Sequence, residues 1–272
     1  MALQNEEVLY LQVKRVKVEI HPTREGAAVA AARAAAEALK NLGMVRESIG
    51  VIFATGASQI ETLRALTEIP DLPWARVRAF HMDEYVDLAA DHPASFRGYL
   101  REKLVQRVQM EAFFEIDGTA PDPERACREY VELLRRADPQ LCLLGIGENG
   151  HLAFNDPGEA NFNDPLDMKI VQLDQVCRQQ QVAEGWFRNL EEVPERAMTL
   201  TIPALFRVPK LIVSVPGPRK AMIVRQTLEE PISTDCPATL LRTHPDATIY
   251  LDRESAAEIS ARAHFMTQSD WI

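Results

Sequence analysis

Cysteine is scarce and scattered. The four thiols, Cys127, Cys142, Cys177 and Cys236, form no Cys-x-x-Cys pair and no other metal-ligand spacing. That leaves no sequence sign of a metal site, and a reducing, cytoplasmic setting fits best. Long hydrophobic runs are missing too. Nothing approaches the roughly 20 consecutive apolar residues that span a bilayer, and Met1 to Lys14 has no apolar signal-peptide core. Positive charge is in deficit: 30 Lys and Arg against 40 Asp and Glu give a formal net charge of −10. That argues against a general nucleic-acid binder, which needs a basic face. An anionic small ligand stays compatible, because a few local cations and backbone N–H groups suffice for one. There is no internal repeat.

What is present suits a globular enzyme-sized chain. Its 272 residues are 46% apolar, enough for a substantial core in one large α/β domain or two small ones. No linker divides it, so a single domain is expected over residues 15–262. Residues 1–14 read as an irregular lead-in and 263–272 as a tail. Short apolar runs alternate with helical patterns throughout, which predicts a mostly parallel sheet with helices on both faces.

The chain centres on Gln140 to Pro157. Leu141 to Leu144 is short and continuously apolar, as a strand buried on both faces reads. Gly145, Gly147 and Gly150 follow, with Asn149, His151, Asn155 and Asp156 among and after them. Glycines let a ligand approach the backbone closely. A polar cluster at the carboxyl end of a buried strand is where open α/β sheets bind ligands. His151 and Asp156 can move protons. The same spacing also reads as an ordinary strand-to-loop turn.

Three more strand ends carry chemistry. Ile49 to Ala54 runs into Thr55-Gly56-Ala57-Ser58 and then a helical pattern, a phosphate-cradle order of strand, glycine turn and helix N-terminus. A plain N-cap by Ser58 is the alternative. Val77 to Phe80 ends at His81-Met82-Asp83-Glu84-Tyr85. Adjacent strand residues point to opposite faces, so at most one of Asp83 and Glu84 is expected in a site; the alternative is that both are solvated turn residues, or that one caps a backbone N–H. Leu211 to Val215 ends at Gly217-Pro218-Arg219-Lys220. A lysine in a helix's first turn opposes the dipole, which a bound anion explains and a solvated surface lysine explains equally.

The remaining elements are expected as follows. Thr23 caps a long Ala-rich helix from Arg24 to Asn41 that Gly43 stops. Ser95 and Arg97 lie near the mouth or on the surface. Residues 158–187 are turn-rich and then Gln-rich, a pattern of lids over sites and of irregular insertions. Ala197 to Ile202 and Ala247 to Leu251 are strands, and Glu254 to Arg262 is a closing helix.

Four stretches together resemble one family, the glucosamine-6-phosphate deaminases (also called isomerases). They are Thr55 to Ser58, Phe80 to Tyr85, Gly145 to Pro157 and Gly217 to Lys220, in matching order and spacing over most of residues 15–260. The 6-phosphogluconolactonases of the same fold share the Gly-x-Gly-x-x-Gly-His core. They typically lack the Tyr after Asp-Glu and the Ala-Phe-Asn continuation. The resemblance implies a modified Rossmann-like sheet and a reaction needing neither metal nor nicotinamide nor another cofactor. Glucosamine 6-phosphate would give fructose 6-phosphate and ammonia. By the same resemblance Asp83 is the C2 base, His151 handles the ring-opening protons, and Asp156 assists where the family usually has Glu. Thr55, Gly56, Ala57, Ser58 and Lys220 hold the phosphate, with Gly147 against the substrate.

The chain departs from the family in three places. Asn149 stands where the best-known members carry Asp; it can orient the imidazole without adding charge. Glu184-Gly185 precede Trp186-Phe187 where the family has Arg, leaving Arg178 as a candidate replacement. The allosteric phosphate site of hexameric members is not evident in residues 158–169. Oligomeric state is open, a homo-oligomer included. Two other functions fit the same residues: a 6-phosphogluconolactone hydrolase, and a sugar-phosphate sensor that has lost its chemistry.

Overall fold

The computed structural model describes residues 7–260 and 265–266. The strands that the sequence writes as unbroken apolar runs are those buried along their length. They are β3 (Ile49–Phe53), β7 (Leu141–Leu144), β10 (Lys210–Val215) and β11 (Ala247–Asp252). They sit inside a nine-stranded sheet with β1 (Leu9–Val13), β2 (Val16–His21), β4 (Val77–His81), β6 (Ala112–Phe114) and β12 (Phe265–Met266). The order is β12-β1-β2-β11-β10-β7-β3-β4-β6. From β2 to β6 every pairing is parallel. β1 pairs antiparallel with both β2 and β12 at the edge.

Alternation on the central strands splits the core in two. Ile52, Phe80, Cys142 and Leu144 face α4 (Pro123–Ala137) and α7 (Ala221–Glu229). Val51, Phe53, Leu141 and Leu143 face α1 (Arg24–Val45) and α2 (Ile60–Glu68). Alanines 27, 31, 32, 35 and 36 of α1 are buried there, small enough to let that helix lie close to the sheet. Among the described residues no helix is long and apolar enough to cross a membrane.

A second, three-stranded antiparallel sheet of order β5-β9-β8 was not anticipated as a separate sheet. It joins β5 (Asp83–Tyr85), β8 (Met168–Gln172) and β9 (Arg196–Leu200). With α3 (Phe96–Leu100) and α5 (Gln175–Ala183) it encloses a third cluster built on Tyr85, Phe96, Phe154 and Phe187. A short helix α6 (Ile202–Phe206) follows β9.

Three expectations are corrected. The lead-in is not wholly irregular, because Leu9–Val13 alternates well enough to pair with β2. The helix α1 passes through Gly43 to Val45, and Gly43 packs on Pro73, where a Cβ would come within 2.9 Å. No closing helix forms over Glu254–Ser260, which makes turns instead. There the Asp252 carboxylate captures the Ser255 N–H at 2.6 Å and the Gly217 N–H at 2.8 Å. Residues 261 and 262 of that expected helix, and the tail apart from β12, lie outside the described residues.

Candidate active site

Chain order reverses in the sheet between β3 and β7, since β4 and β6 lie beyond β3 while β10 and β11 lie beyond β7. A crevice opens at the carboxyl ends of strands at such a point. One cavity occupies it, lined by Thr55–Ser58 after β3, Asp83 after β4, Gly145–Glu148 and His151 after β7, and Pro216–Lys220 after β10. Four stretches remote in sequence thus share one mouth.

The loops after β3 and β10 repeat one geometry. Gly56 has φ 92° and ψ 174°, and Gly217 has φ 94° and ψ 156°. Each is followed by a three-residue 3-10 turn and then α2 or α7. The positive φ is the conformation glycine alone adopts cheaply. Both turns therefore bring a helix N-terminus to the cavity, the kind of position that favours an anion. The Tyr99 hydroxyl donates to the Gly56 carbonyl at 3.1 Å and braces the first loop. Lys220 is buried, and its Nζ donates to the Ile146 carbonyl at 2.8 Å. Burial lowers its pKa, opposed by the carboxylates of Glu184 and Glu148.

Asp83 and Glu84 divide as strand alternation requires. Glu84 is fully buried and accepts from the backbone N–H groups of Tyr85, Phe96 and Arg97 and from the Ser95 hydroxyl, all within 3.1 Å. It thereby seals the start of α3. Asp83 faces the cavity, and among the described residues its carboxylate takes no hydrogen bond. Burial, then the charges of Glu84 and Asp156, raise its pKa well above the ordinary carboxylate value. Its backbone is fixed from behind. His81 Nε2 lies 2.8 Å from the Ile116 N–H, so it accepts, and Nδ1–H donates to the Asp83 carbonyl at 2.9 Å. Burial pushes the His81 pKa down to about 3, so that ring is neutral.

His151 lies flat over Gly147. A Cβ on Gly147 would fall 2.2 Å from both Cε1 and Nε2 of the ring. His151 Nδ1 is 2.7 Å from Asp156 Oδ1, and Asp156 is fully buried behind it. Burial pushes the Asp156 carboxyl up, but His151 and a hydrogen bond from Asn149 outweigh it and hold it below the usual range. Asn149 donates to Asp156 Oδ1 at 2.9 Å and to Asp174 Oδ2 at 3.0 Å, and its Oδ1 accepts the His151 backbone N–H. Asn149 thus stands behind the imidazole, out of the cavity, as an orienting group.

The strand β9 joins the two halves. Asp83 pairs with Thr199, and the Met82 carbonyl accepts from the Leu200 N–H at 2.7 Å. The Thr199 hydroxyl accepts from the Phe154 N–H at 3.0 Å, and the Leu200 carbonyl accepts from Asn155 Nδ2 at 2.8 Å.

Arg178 does not replace the absent arginine. Its guanidinium donates to the Leu190 and Val193 carbonyls, both at 2.8 Å, and it is not among the residues lining the cavity. Its helix presents Gln180 and Gln181 there instead, with Glu184 just past its end. Glu184 accepts from Gln180 Nε2 at 2.7 Å and from Trp186 Nε1 at 3.1 Å. Ser95 and Arg97 are buried supports rather than parts of the mouth, Arg97 bonding Asp117 and the Leu88 and Ile116 carbonyls. Sequence reasoning missed two cavity cations and a carboxylate: Arg24, which holds the Ala57 carbonyl at 2.9 Å and pairs with Glu61, and Arg219, paired with Glu148.

The family model of glucosamine-6-phosphate isomerases/6-phosphogluconolactonase matches residues 22–250, which contain every loop of the cavity. The chain belongs to this family. Among its relatives is the glucosamine-6-phosphate deaminase of Listeria monocytogenes serotype 4a (strain HCC23). It is 35% identical over 205 residues, which are 75% of this chain and 85% of the relative. That of Exiguobacterium sibiricum is 33% identical over 219 residues, 80% of this chain and 84% of the relative. A solved monomeric glucosamine-6-phosphate deaminase superposes with a TM-score of 0.80 at 30% identity, covering 90% of this chain and 99% of its own. The 6-phosphogluconolactonase of Thermotoga maritima, at 20% identity and a TM-score of 0.69 over 87% of this chain and 98% of its own, shares the fold.

Proposed function

We propose that this enzyme converts glucosamine 6-phosphate to fructose 6-phosphate and ammonia. The observation that carries the reading is that Asp83 and His151 line one cavity together with two glycine turns and Lys220. The phosphate sits between the Thr55–Ser58 and Gly217–Lys220 turns and orients C1 and C2 between the two proton carriers. His151 passes a proton to the ring oxygen and relieves the C1 hydroxyl of its own, opening the ring. Asp156 and Asn149 hold the imidazole in place for this exchange. Asp83 then takes the C2 proton; burial and its like-charged neighbours raise its pKa, which strengthens it as a base. His151, carrying the proton it took from the C1 hydroxyl, gives it to the carbonyl oxygen as the enol forms; the C2 proton then returns from Asp83 to C1, giving a C2 iminium. Water adds to C2 and ammonia leaves.

The assay is ammonia and fructose 6-phosphate from glucosamine 6-phosphate. Folded protein that releases neither, or that hydrolyses 6-phosphogluconolactone faster, overturns the reading. The pH dependence is a second check. Asp83 must be ionised to act, and burial raises its pKa, so kcat rises with pH on a limb displaced above the ordinary carboxylate range. A limb midpoint near 4, the unperturbed value, removes Asp83 from the role.

Glu184 weakens phosphate binding in this reading, since it is the largest charge acting on Lys220. Glu184→Gln is therefore expected to lower KM several-fold with kcat little changed, because a like charge beside a bound dianion is removed. A KM that stays or rises assigns Glu184 to another part of the substrate.

A further inference from the structure

Behind the catalytic imidazole, three donor atoms of different kinds converge. His151, Asp156 and Cys177 each offer one atom, and these lie within 4.8 Å of one another. Two of the groups are incompletely satisfied. Asp156 is fully buried, and its Oδ2 has only weak or poorly aligned donors near it, the Cys177 thiol and the Asp174 N–H. His151 Nδ1 is 2.7 Å from Oδ1 but makes no well-aligned hydrogen bond there. A buried carboxylate oxygen without a strong donor is uncommon and costly. The surroundings are negative as well: Asp83, Asp156 and Asp174 all act on the Cys177 thiol, which comes from α5 and is buried.

We propose that His151, Asp156 and Cys177 form a binding site for a zinc-class divalent cation, and that the bound ion switches the enzyme off. One nitrogen, one oxygen and one sulfur suit a borderline ion such as zinc or cobalt(II); magnesium and calcium prefer all-oxygen shells. Tetrahedral zinc with bonds of about 2.0–2.3 Å spaces its donors about 3.3–3.8 Å apart, within reach of small side-chain rotations here. Asp156 Oδ2 takes the ion, His151 gives the Nδ1 lone pair and keeps its proton on Nε2, and the thiol gives its proton to solvent as the Zn–S bond forms. Water completes the fourth position. A metallated imidazole carrying a proton on Nε2 accepts no second proton, so it no longer serves ring opening. Only this inhibition rests on the proposed deamination; the binding does not.

The two halves are read separately. Titrating the purified, metal-free chain with Co²⁺ is expected to give a thiolate-to-cobalt charge-transfer band in the near ultraviolet, saturating at one equivalent and bleached by Zn²⁺. The band is absent in Cys177→Ser. This spectrum reports binding even if the chain turns over no glucosamine 6-phosphate. In the ammonia assay, micromolar Zn²⁺ inhibits the unaltered enzyme and millimolar Mg²⁺ does not. Cys177→Ala keeps its uninhibited turnover and needs at least tenfold more Zn²⁺. Thermal unfolding of both variants checks that they are folded. No charge-transfer band, a band that survives in Cys177→Ser, or equal zinc sensitivity with and without the thiol overturns the proposal.

Discussion

Asp83→Asn is expected to lose turnover by about 10²–10⁴-fold, the usual worth of a positioned general base, and to unfold at a higher temperature. Both effects come from one placement. The carboxylate is 6% exposed with Glu84 and Asp156 as like-charged neighbours. Its pKa is raised in the folded chain, so the native state binds the proton more tightly than the unfolded chain does. As pH rises above the unfolded value of 3.8, the unfolded chain ionises first and stability falls, by about 1.4 kcal/mol for each pH unit climbed. The decline ends once pH passes the folded pKa. Asparagine removes that penalty. The gain is largest near pH 8, about 3 °C in Tm for each kcal/mol, and vanishes as pH falls to about 4. Thermal unfolding of both proteins at the two pH values measures it. A variant no more stable at pH 8 would mean that the carboxylate carries no buried charge to remove, and retained turnover would end its candidacy as base.

Gly147→Ala is expected to cost about as much in kcat as removing the imidazole, on the order of 10²–10³-fold, with the fold intact. The backbone at Gly147 has no left-handed φ, so alanine fits the chain itself. The conflict lies with the ring: a Cβ 2.2 Å from Cε1 and Nε2 is far inside van der Waals contact. The imidazole must swing off Asp156. The paired measurement is kcat for Gly147→Ala, His151→Asn and the double variant. Because the glycine acts only through the ring, the double variant is no slower than His151→Asn alone. Additive losses would give Gly147 a separate task.

These two residues were legible in the sequence for a physical reason. Strands buried on both faces leave continuous apolar runs, and a ligand site leaves glycines and proton carriers where such a run ends. The parallel sheet, the cavity positions of Asp83 and His151, and both glycine turns all follow from that coincidence. What was not legible depends on distant partners. The strands β5, β8 and β9 are short and gain their identity from pairing with one another. Arg24 looks like any first-turn charge, and only the close seat of the Ala-rich helix carries it to the cavity. Arg178 was misassigned because α5 was not read as a helix. Once Asp174 caps it, the spacing 177, 180/181 and 184 forms one stripe and Arg178 lies about 100° away from it.

The strand β9 contributes no cavity wall among the described residues, yet it clamps the Asp83 segment on one side and Phe154 and Asn155 on the other. The spacing of Asp83 and His151 is thereby set by a strand outside the cavity, while Gln180, Gln181 and Glu184 come from α5 and its C-cap. Among the described residues that element is tied to the imidazole at one end only, where Asp174 holds Asn149, so changes at Gln181 and Glu184 would alter what the mouth accepts and leave the spacing of Asp83 and His151 to β9.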